Sequence, residues 1–165
     1  MEQEIYNLSW QEVEKGAKNI LKEIKEKNIN IDTIIPILRG GATLGNLISN
    51  NIKADISYIH IRRSDSNDVN AKLGTPILKG ITNEEKIKGK DILIVDDLLD
   101  KGETMKFAIT ELERYNPKSI HVAVLYNFTK LNEPDKYLVG LSLKEKKWIV
   151  FPWETKFELD IDNFM

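Results

Sequence analysis

The run ILIVDDLLDKGET, Ile92 to Thr104, constrains this chain more than any other stretch. Its first four residues are apolar, with two β-branched types and no alternation, the pattern of a strand buried on both faces of a parallel sheet. Charge is unwelcome in such a strand, yet it runs straight into Asp96 and Asp97. Acids at the carboxyl end of a parallel strand lie where open α/β sheets hold their ligands. Asp100 follows, then Lys101-Gly102-Glu103-Thr104, after which Met105, Ala108, Ile109 and Leu112 recur at helical spacing. The unit reads as strand, acidic loop, helix. A glycine loop at a helix start presents unbonded N–H groups, and the helix dipole adds partial positive charge, which suits a phosphate. The two carboxylates beside it suit hydroxyls or a hydrated Mg²⁺. A helix cap or a solvated turn accounts for one acid, not for three together with a glycine loop.

A second unit of the same kind lies upstream. Thr33 to Leu38 reads as a buried strand, running into Arg39-Gly40-Gly41-Ala42-Thr43, and Leu44, Leu47 and Ile48 begin a helix. Pro36 within that strand requires an edge position or a local break in the ladder, because proline donates no hydrogen bond. Taken alone, a Gly-Gly pair after a strand is a weak signal; repeated beside the acidic unit it gains weight. Before both, Ser9 and Glu12 have capping-box spacing, and Trp10, Val13, Ala17, Ile20, Leu21 and Ile24 form an apolar stripe, which predicts a first helix ending near Asn28 to Asn30.

Ala54 to Ile61 predicts a third strand, with Ile56, Tyr58 and His60 on one face and Ser57, Ile59 and Ile61 on the other. From Arg62 to Leu73 the chain turns polar and loses its period, as a lid or a disordered segment does. Thr75 to Ile81 adds a short strand. Asn116-Pro117 stops the helix after the acidic loop, and Ser119 to Tyr126 is a further strand. Strands alternating with helices predict an α/β fold with a doubly wound, mainly parallel sheet. His60 and His121 read as structural, since neither has a partner at readable spacing.

The VDDLLDKGET run resembles the signature with which type I phosphoribosyltransferases bind 5-phosphoribosyl-1-pyrophosphate (PRPP), and ILRGGATLG resembles their pyrophosphate loop, in the S-R-G-G form of the xanthine-guanine enzymes. The carboxyl-terminal WIVFPWE, Trp148 to Glu154, resembles the W-I-x-x-P-W-[DE] segment of the same enzymes, although aromatic residues there also suit a plain half-buried strand. The resemblance covers Ile34 to Glu154. It implies that Asp96 and Asp97 bind the ribose hydroxyls and, through PRPP and water, Mg²⁺. It implies that Lys101, Gly102, Glu103 and Thr104 hold the 5′-phosphate, and that Leu38, Arg39, Gly40 and Gly41 hold the pyrophosphate across a cis Leu38–Arg39 bond. Asp100 would be catalytic, and Trp148, Ile149 and Lys130 would bind the base. Three positions depart from the family pattern: Lys101 replaces the usual Thr or Ser, Arg62-Arg63 replaces Ser-Tyr, and Phe128 stands near the place of a lysine that reads the purine 6-oxo group, with Lys130 two residues on.

The 165 residues suit one domain, 1–165, with a mobile lid at about 62–80 and a small hood from the chain ends that includes 127–165. With 24 basic and 26 acidic residues, general attraction to nucleic acid or membrane is disfavoured. The absence of cysteine excludes disulfides and thiolate metal sites. No apolar run reaches the roughly 18 residues of a membrane span, and the acidic start lacks the basic region of a signal peptide, so the expected location is cytoplasmic. The expected activity is transfer of a phosphoribosyl group from PRPP to a 6-oxopurine with Mg²⁺, in a homodimer or larger homo-oligomer. Three alternatives stay open: a PRPP-sensing regulator without turnover, the same chemistry on a pyrimidine or modified purine, and a phospho-acceptor receiver domain, which leaves the Arg39-Gly40-Gly41 loop without a purpose.

Overall fold

Helix α1 (Trp10–Glu26) begins at a reciprocal cap: Ser9 Oγ accepts the Glu12 N–H at 3.3 Å, and the Glu12 carboxylate accepts the Ser9 N–H at 2.9 Å, together worth about 1 kcal/mol. These bonds belong to a computed structural model that describes residues 4–65, 72, 74–129 and 137–154. The other helices are α2 (Gly41–Ile52) and α3 (Glu103–Glu113). The strands are β1 (Ile5–Asn7), β2 (Thr33–Leu38), β3 (Asp55–Ile56), β4 (Ile59–Arg63), β5 (Pro76–Ile81), β6 (Asp91–Leu99), β7 (Ser119–Asn127), β8 (Tyr137–Val139) and β9 (Trp148–Val150).

The main sheet runs β5-β4-β2-β6-β7-β8, with β3 also beside β2. Every pairing in it is parallel except that of β4 with β5. Successive residues of the central strands face opposite ways, so each strand supplies two cores. Ile34, Leu93 and Val95 pack with Val13, Ala17 and Ile20 of α1 and Leu44 and Ile48 of α2. Ile35, Ile37, Ile92 and Ile94 pack with Met105, Ala108 and Leu112 of α3. Helices thus cover both faces, as the doubly wound expectation requires. Truncating a fully buried side chain such as Ile94 to alanine would cost about 2–5 kcal/mol.

Pro36 sits in a central strand, and the sheet yields to it. On one side β2 pairs with β3 at Thr33 and Ile34, and with β4 only from Ile37 onward. Ile34 gives its carbonyl to the Ser57 N–H at 2.9 Å on that side. Two residues on, Pro36 faces the same way, so its missing N–H falls where the ladder is broken. The strand expected over Ala54–Ile61 is therefore two strands, parted at Ser57 and Tyr58. There the Tyr58 N–H bonds Thr82 Oγ1 at 2.9 Å instead of the ladder. The faces hold as read: Ser57, Ile59 and Ile61 are buried and His60 is exposed.

The chain ends form a second, two-stranded sheet in which Ile5 faces Trp148 and Asn7 faces Val150, in parallel. It is anchored on α1, because Tyr6 donates to Glu12 and Trp10 lies 5.9 Å from Trp153, which stacks on Phe151 at 4.9 Å. Tyr137–Val139, in the stretch expected to belong to this hood, instead extends the main sheet beside β7, because Tyr137 and Leu138 are buried in its cores. The expected lid lies partly in β4 and β5; residues 66–71 and 73 are outside the described residues, as is the tail from 155 onward. Among the described residues no helix is long and apolar enough to cross a membrane.

Candidate active site

From β2 the chain passes through α2 to β3 and β4 on one side, and later returns to place β6 on the other side of β2. Strand order therefore reverses between β2 and β6, and the crevice outside their carboxyl ends is where such sheets bind ligands. A cleft of about 790 Å³ opens there, lined by Leu38, Arg39, Gly40, Thr43, Asp96, Asp97, Thr104 and, from the hood, Trp153 and Glu154. Both loops singled out in the sequence meet in this one cleft.

The two loops touch. A Cβ on Gly40 would lie 2.2 Å from Asp97 Oδ2, and one on Gly41 would lie 2.2 Å from the Val95 carbonyl oxygen. Only hydrogen at these positions lets the start of α2 settle on the end of β6. Gly40 is the N-cap of α2 and the Leu38–Arg39 peptide before it is cis, as expected. Across the cleft, Gly102 starts α3 with φ 77 and no side-chain cap, a conformation that suits glycine. The backbone N–H groups of the first turn are thereby left to a ligand.

Two smaller pockets join the cleft at the end of β6. A recess of about 120 Å³ is lined by Asp96, Asp100 and the run Lys101, Gly102, Glu103 and Thr104, with Arg63 from β4. Arg63 donates to Glu103 at 2.9 Å. A slot of about 250 Å³ is walled by Leu98, Phe128, Trp148, Ile149 and Phe151, with Asp97, Asp100, Lys146, Lys147 and Glu154 supplying its charges. Each acid of the motif borders two spaces: Asp96 the cleft and the recess, Asp97 the cleft and the slot, Asp100 the recess and the slot.

Burial pushes the Asp96 carboxyl well up, and the adjacent Asp97 charge adds to this. Asp97 is pushed up to about 6, first by burial and then by Glu154. The Asp97 N–H bonds Asp96 Oδ1 at 3.0 Å. Carboxylates crowded into a shielded floor keep their charge at a cost, which a cation or a set of hydroxyl donors would offset.

The structure brings together Leu38, Arg39, Gly40, Gly41, Asp96, Asp97, Asp100, Lys101, Gly102, Glu103, Thr104, Trp148 and Ile149. Lys130 lies outside the described residues. Lys101 is exposed at the rim of the recess. Trp148 is 60% exposed, so it is a wall of the slot and not core. Sequence reading assigned no role to Glu154, Arg63 or Lys146; Glu154 was legible as the last residue of the aromatic motif and Arg63 as a departure from the family pattern, whereas Lys146 carries no local signal.

The phosphoribosyl transferase domain family model matches residues 4–159, and the chain belongs to that family. Among curated relatives, a xanthine-guanine phosphoribosyltransferase from Idiomarina loihiensis is 27% identical over 154 residues, covering 89% of this chain and 85% of that one. The transcriptional regulator GfcR of Methanocella arvoryzae is 26% identical over 131 residues, 76% of this chain and 62% of that protein. The crystal structure of a purine phosphoribosyltransferase from Pyrococcus horikoshii superposes with a TM-score of 0.74 at 25% identity, covering 95% of this chain and 98% of that one. The chain spans 62–66% of the length of the first curated relatives it matches.

Proposed function

We propose that this protein transfers the phosphoribosyl group of PRPP to a nucleobase, a 6-oxopurine, and releases pyrophosphate. The observation that carries the reading is the meeting of a cleft, an uncapped helix start and an aromatic slot around the three acids Asp96, Asp97 and Asp100. Diphosphate, 5′-phosphate and base each need one of those spaces, with the ribose at their junction. The relatives named for xanthine-guanine and purine phosphoribosyltransferase activity support the choice of base.

In this reading Leu38, Arg39, Gly40 and Gly41 hold the diphosphate, Asp96 and Asp97 the ribose hydroxyls, and Lys101 to Thr104 the 5′-phosphate. Trp148 stacks on the base, whose edge meets the Ile149 backbone, and Lys130 is a further base contact. A base nitrogen attacks C1 of the ribose as the C1–O bond breaks, and the bond electrons leave with pyrophosphate. Asp100 accepts the proton that the base gives up. Charge at C1 has oxocarbenium character, as in glycoside chemistry, so the Asp96 and Asp97 carboxylates beside the ribose lower the barrier electrostatically when they are ionised.

The donor chemistry fits Mg²⁺. Asp96 and Asp97 offer the oxygen ligands a hard cation prefers. Bound there, Mg²⁺ would supply a Lewis acid and template for the departing diphosphate. A cytoplasmic homodimer or larger homo-oligomer belongs to the same reading; the exposed Ile5 and Trp10 offer apolar surface for it.

The test is pyrophosphate release from PRPP and Mg²⁺ with hypoxanthine, xanthine, guanine, adenine or uracil. Turnover with a 6-oxopurine is expected. PRPP binding without turnover on any base would favour the second reading, a PRPP-sensing regulator, which the GfcR relative supports. Turnover on uracil alone would move the substrate to pyrimidines.

A further inference from the structure

We propose that Tyr6 and Glu12 position the base: their hydrogen bond pins the two-stranded hood sheet to α1 and so fixes the width of the slot. The inference rests on the transferase reading above and assigns two positioning residues to it, neither of which lines the slot, the cleft or the recess.

The slot has walls on two separate bodies. Leu98 belongs to β6, and Phe128 is tied to the same strand by its N–H, which donates to the Leu99 carbonyl at 2.8 Å. Trp148 and Ile149 face them from β9. Among the described residues β9 pairs with β1 and not with the main sheet, so where β9 stands is decided by where β1 stands. The pairing continues at both ends, through the Trp148 N–H to the Glu4 carbonyl and the Leu8 N–H to the Val150 carbonyl, each 2.9 Å. The two strands are one piece.

Two kinds of contact dock that piece. Leu8, Ile149 and Phe151 are buried in the core with Val13, Ala17 and Ile20 of α1, but apolar burial is non-directional and fixes no lateral position. Tyr6, which faces Ile149 in the pairing, supplies the direction: its hydroxyl donates to Glu12 Oε1. The other carboxylate oxygen, Oε2, accepts the Ser9 N–H at 2.9 Å and the Ser9 hydroxyl at 2.7 Å. One side chain thus caps α1 with one oxygen and holds the hood with the other. The same bonds, that from Tyr6 foremost, hold the Glu12 carboxyl below its ordinary range, so the acceptor is ionised at neutral pH. A part-buried hydrogen bond to a charged group is worth more than an exposed ion pair, and the cap itself needs only Ser9 and Glu12, which leaves the tyrosine hydroxyl without a purpose in the helix. A gap of about 0.5–1 Å forfeits roughly a quarter to a half of a van der Waals contact. A hood that shifts by that much loosens the stack on the base while the glycine and acidic loops stay in place.

The experiment compares the full-length wild type with Tyr6→Phe, Glu12→Gln and Ser9→Ala, measuring pyrophosphate release with hypoxanthine, xanthine and guanine, amide hydrogen exchange and thermal denaturation. Tyr6→Phe keeps the ring and removes the hydroxyl alone. Its KM for the base should rise about 3- to 30-fold, with the KM for PRPP unchanged. A two-stranded sheet is marginal by itself, so in this variant the Leu8 and Trp148 amides should exchange faster while those of β6 keep their protection. Glu12→Gln offers one acceptor oxygen for bonds that took two, and should show the same split in smaller measure. Ser9→Ala weakens the cap and leaves the Tyr6 bond, so it should lower the melting temperature and move neither KM. An unchanged base KM in Tyr6→Phe overturns the proposal, as do equal rises for base and PRPP, or a Ser9→Ala variant that reproduces the split. A parent that releases pyrophosphate with none of these bases overturns the transferase reading, whereas unchanged exchange at Leu8 and Trp148 overturns the pin itself.

Discussion

Gly40 lies against Asp97 so closely that a β-carbon at position 40 would sit 2.2 Å from Asp97 Oδ2. The glycine loop after β2 and the acidic loop, 57 positions apart from Gly40 to Asp97, thus share one surface. The contact explains a glycine whose own backbone, at φ −55 and ψ −42, any residue could adopt. Gly40→Ala should therefore displace the Asp97 carboxylate while leaving the helix intact. Calorimetry should show PRPP binding weakened at least about 10-fold, roughly 1.4 kcal/mol, with the melting temperature little changed. Gly41→Ala meets the Val95 backbone oxygen instead, so it should lose about 2–3 kcal/mol of stability. Equal effects of the two substitutions would contradict this division.

Asp97 also makes stability depend on pH in a definite direction. Its folded-state value, about 6, lies above the ordinary 3.8, so the folded protein holds this proton more tightly than the unfolded chain. The resulting stabilisation is complete below about pH 4 and is lost as pH rises through 6. Above that the ionised group costs on the order of 2 kcal/mol, allowing for its partial contact with solvent. Asp97→Asn should raise the melting temperature, and by more at pH 8 than at pH 5. A destabilised variant, or a gain that shrinks with rising pH, would sink the argument.

Trp148 is exposed on the wall of the slot. Its replacement by alanine should cost under about 1 kcal/mol of stability, as for most surface changes. Stacking of a base on an aromatic is worth about 1–3 kcal/mol, so the KM for the base should rise about 5- to 150-fold with that for PRPP unaffected, and Trp148→Phe should recover much of the loss. A cooperative destabilisation with normal base affinity would remove Trp148 from the site.

Asp100 separates chemistry from binding. Asp100→Asn keeps size and removes the proton acceptor, for which losses of about 10²- to 10⁴-fold in kcat are typical. PRPP affinity should be retained, because Asp96 and Asp97, the proposed ribose contacts, are untouched. Single-turnover kinetics at saturating PRPP would show it, and an unchanged rate would reassign the proton.

The pattern of each local unit was legible in the chain before any folding. Four apolar residues ending in acids, a glycine loop and a helical repeat are statements about neighbours in sequence, as is the Ser9–Glu12 cap, and backbone sterics with local hydrogen bonding suffice to read them. Pro36 likewise announced that its ladder had to be broken. Which strands lie side by side is a different kind of fact. That β2 pairs with β6, that Ile5 faces Trp148, and that Tyr137–Val139 leaves the hood for the main sheet follow from which burial of apolar faces wins across the whole chain, and no periodicity encodes that competition. Gly40 on Asp97, Glu154 over Asp97 and Lys146 on Asp100 exist only because those pairings were made. The sequence alone could name the acids; their crowding, raised proton affinity and division among three spaces came from long-range packing that set charges beside one another against their mutual repulsion.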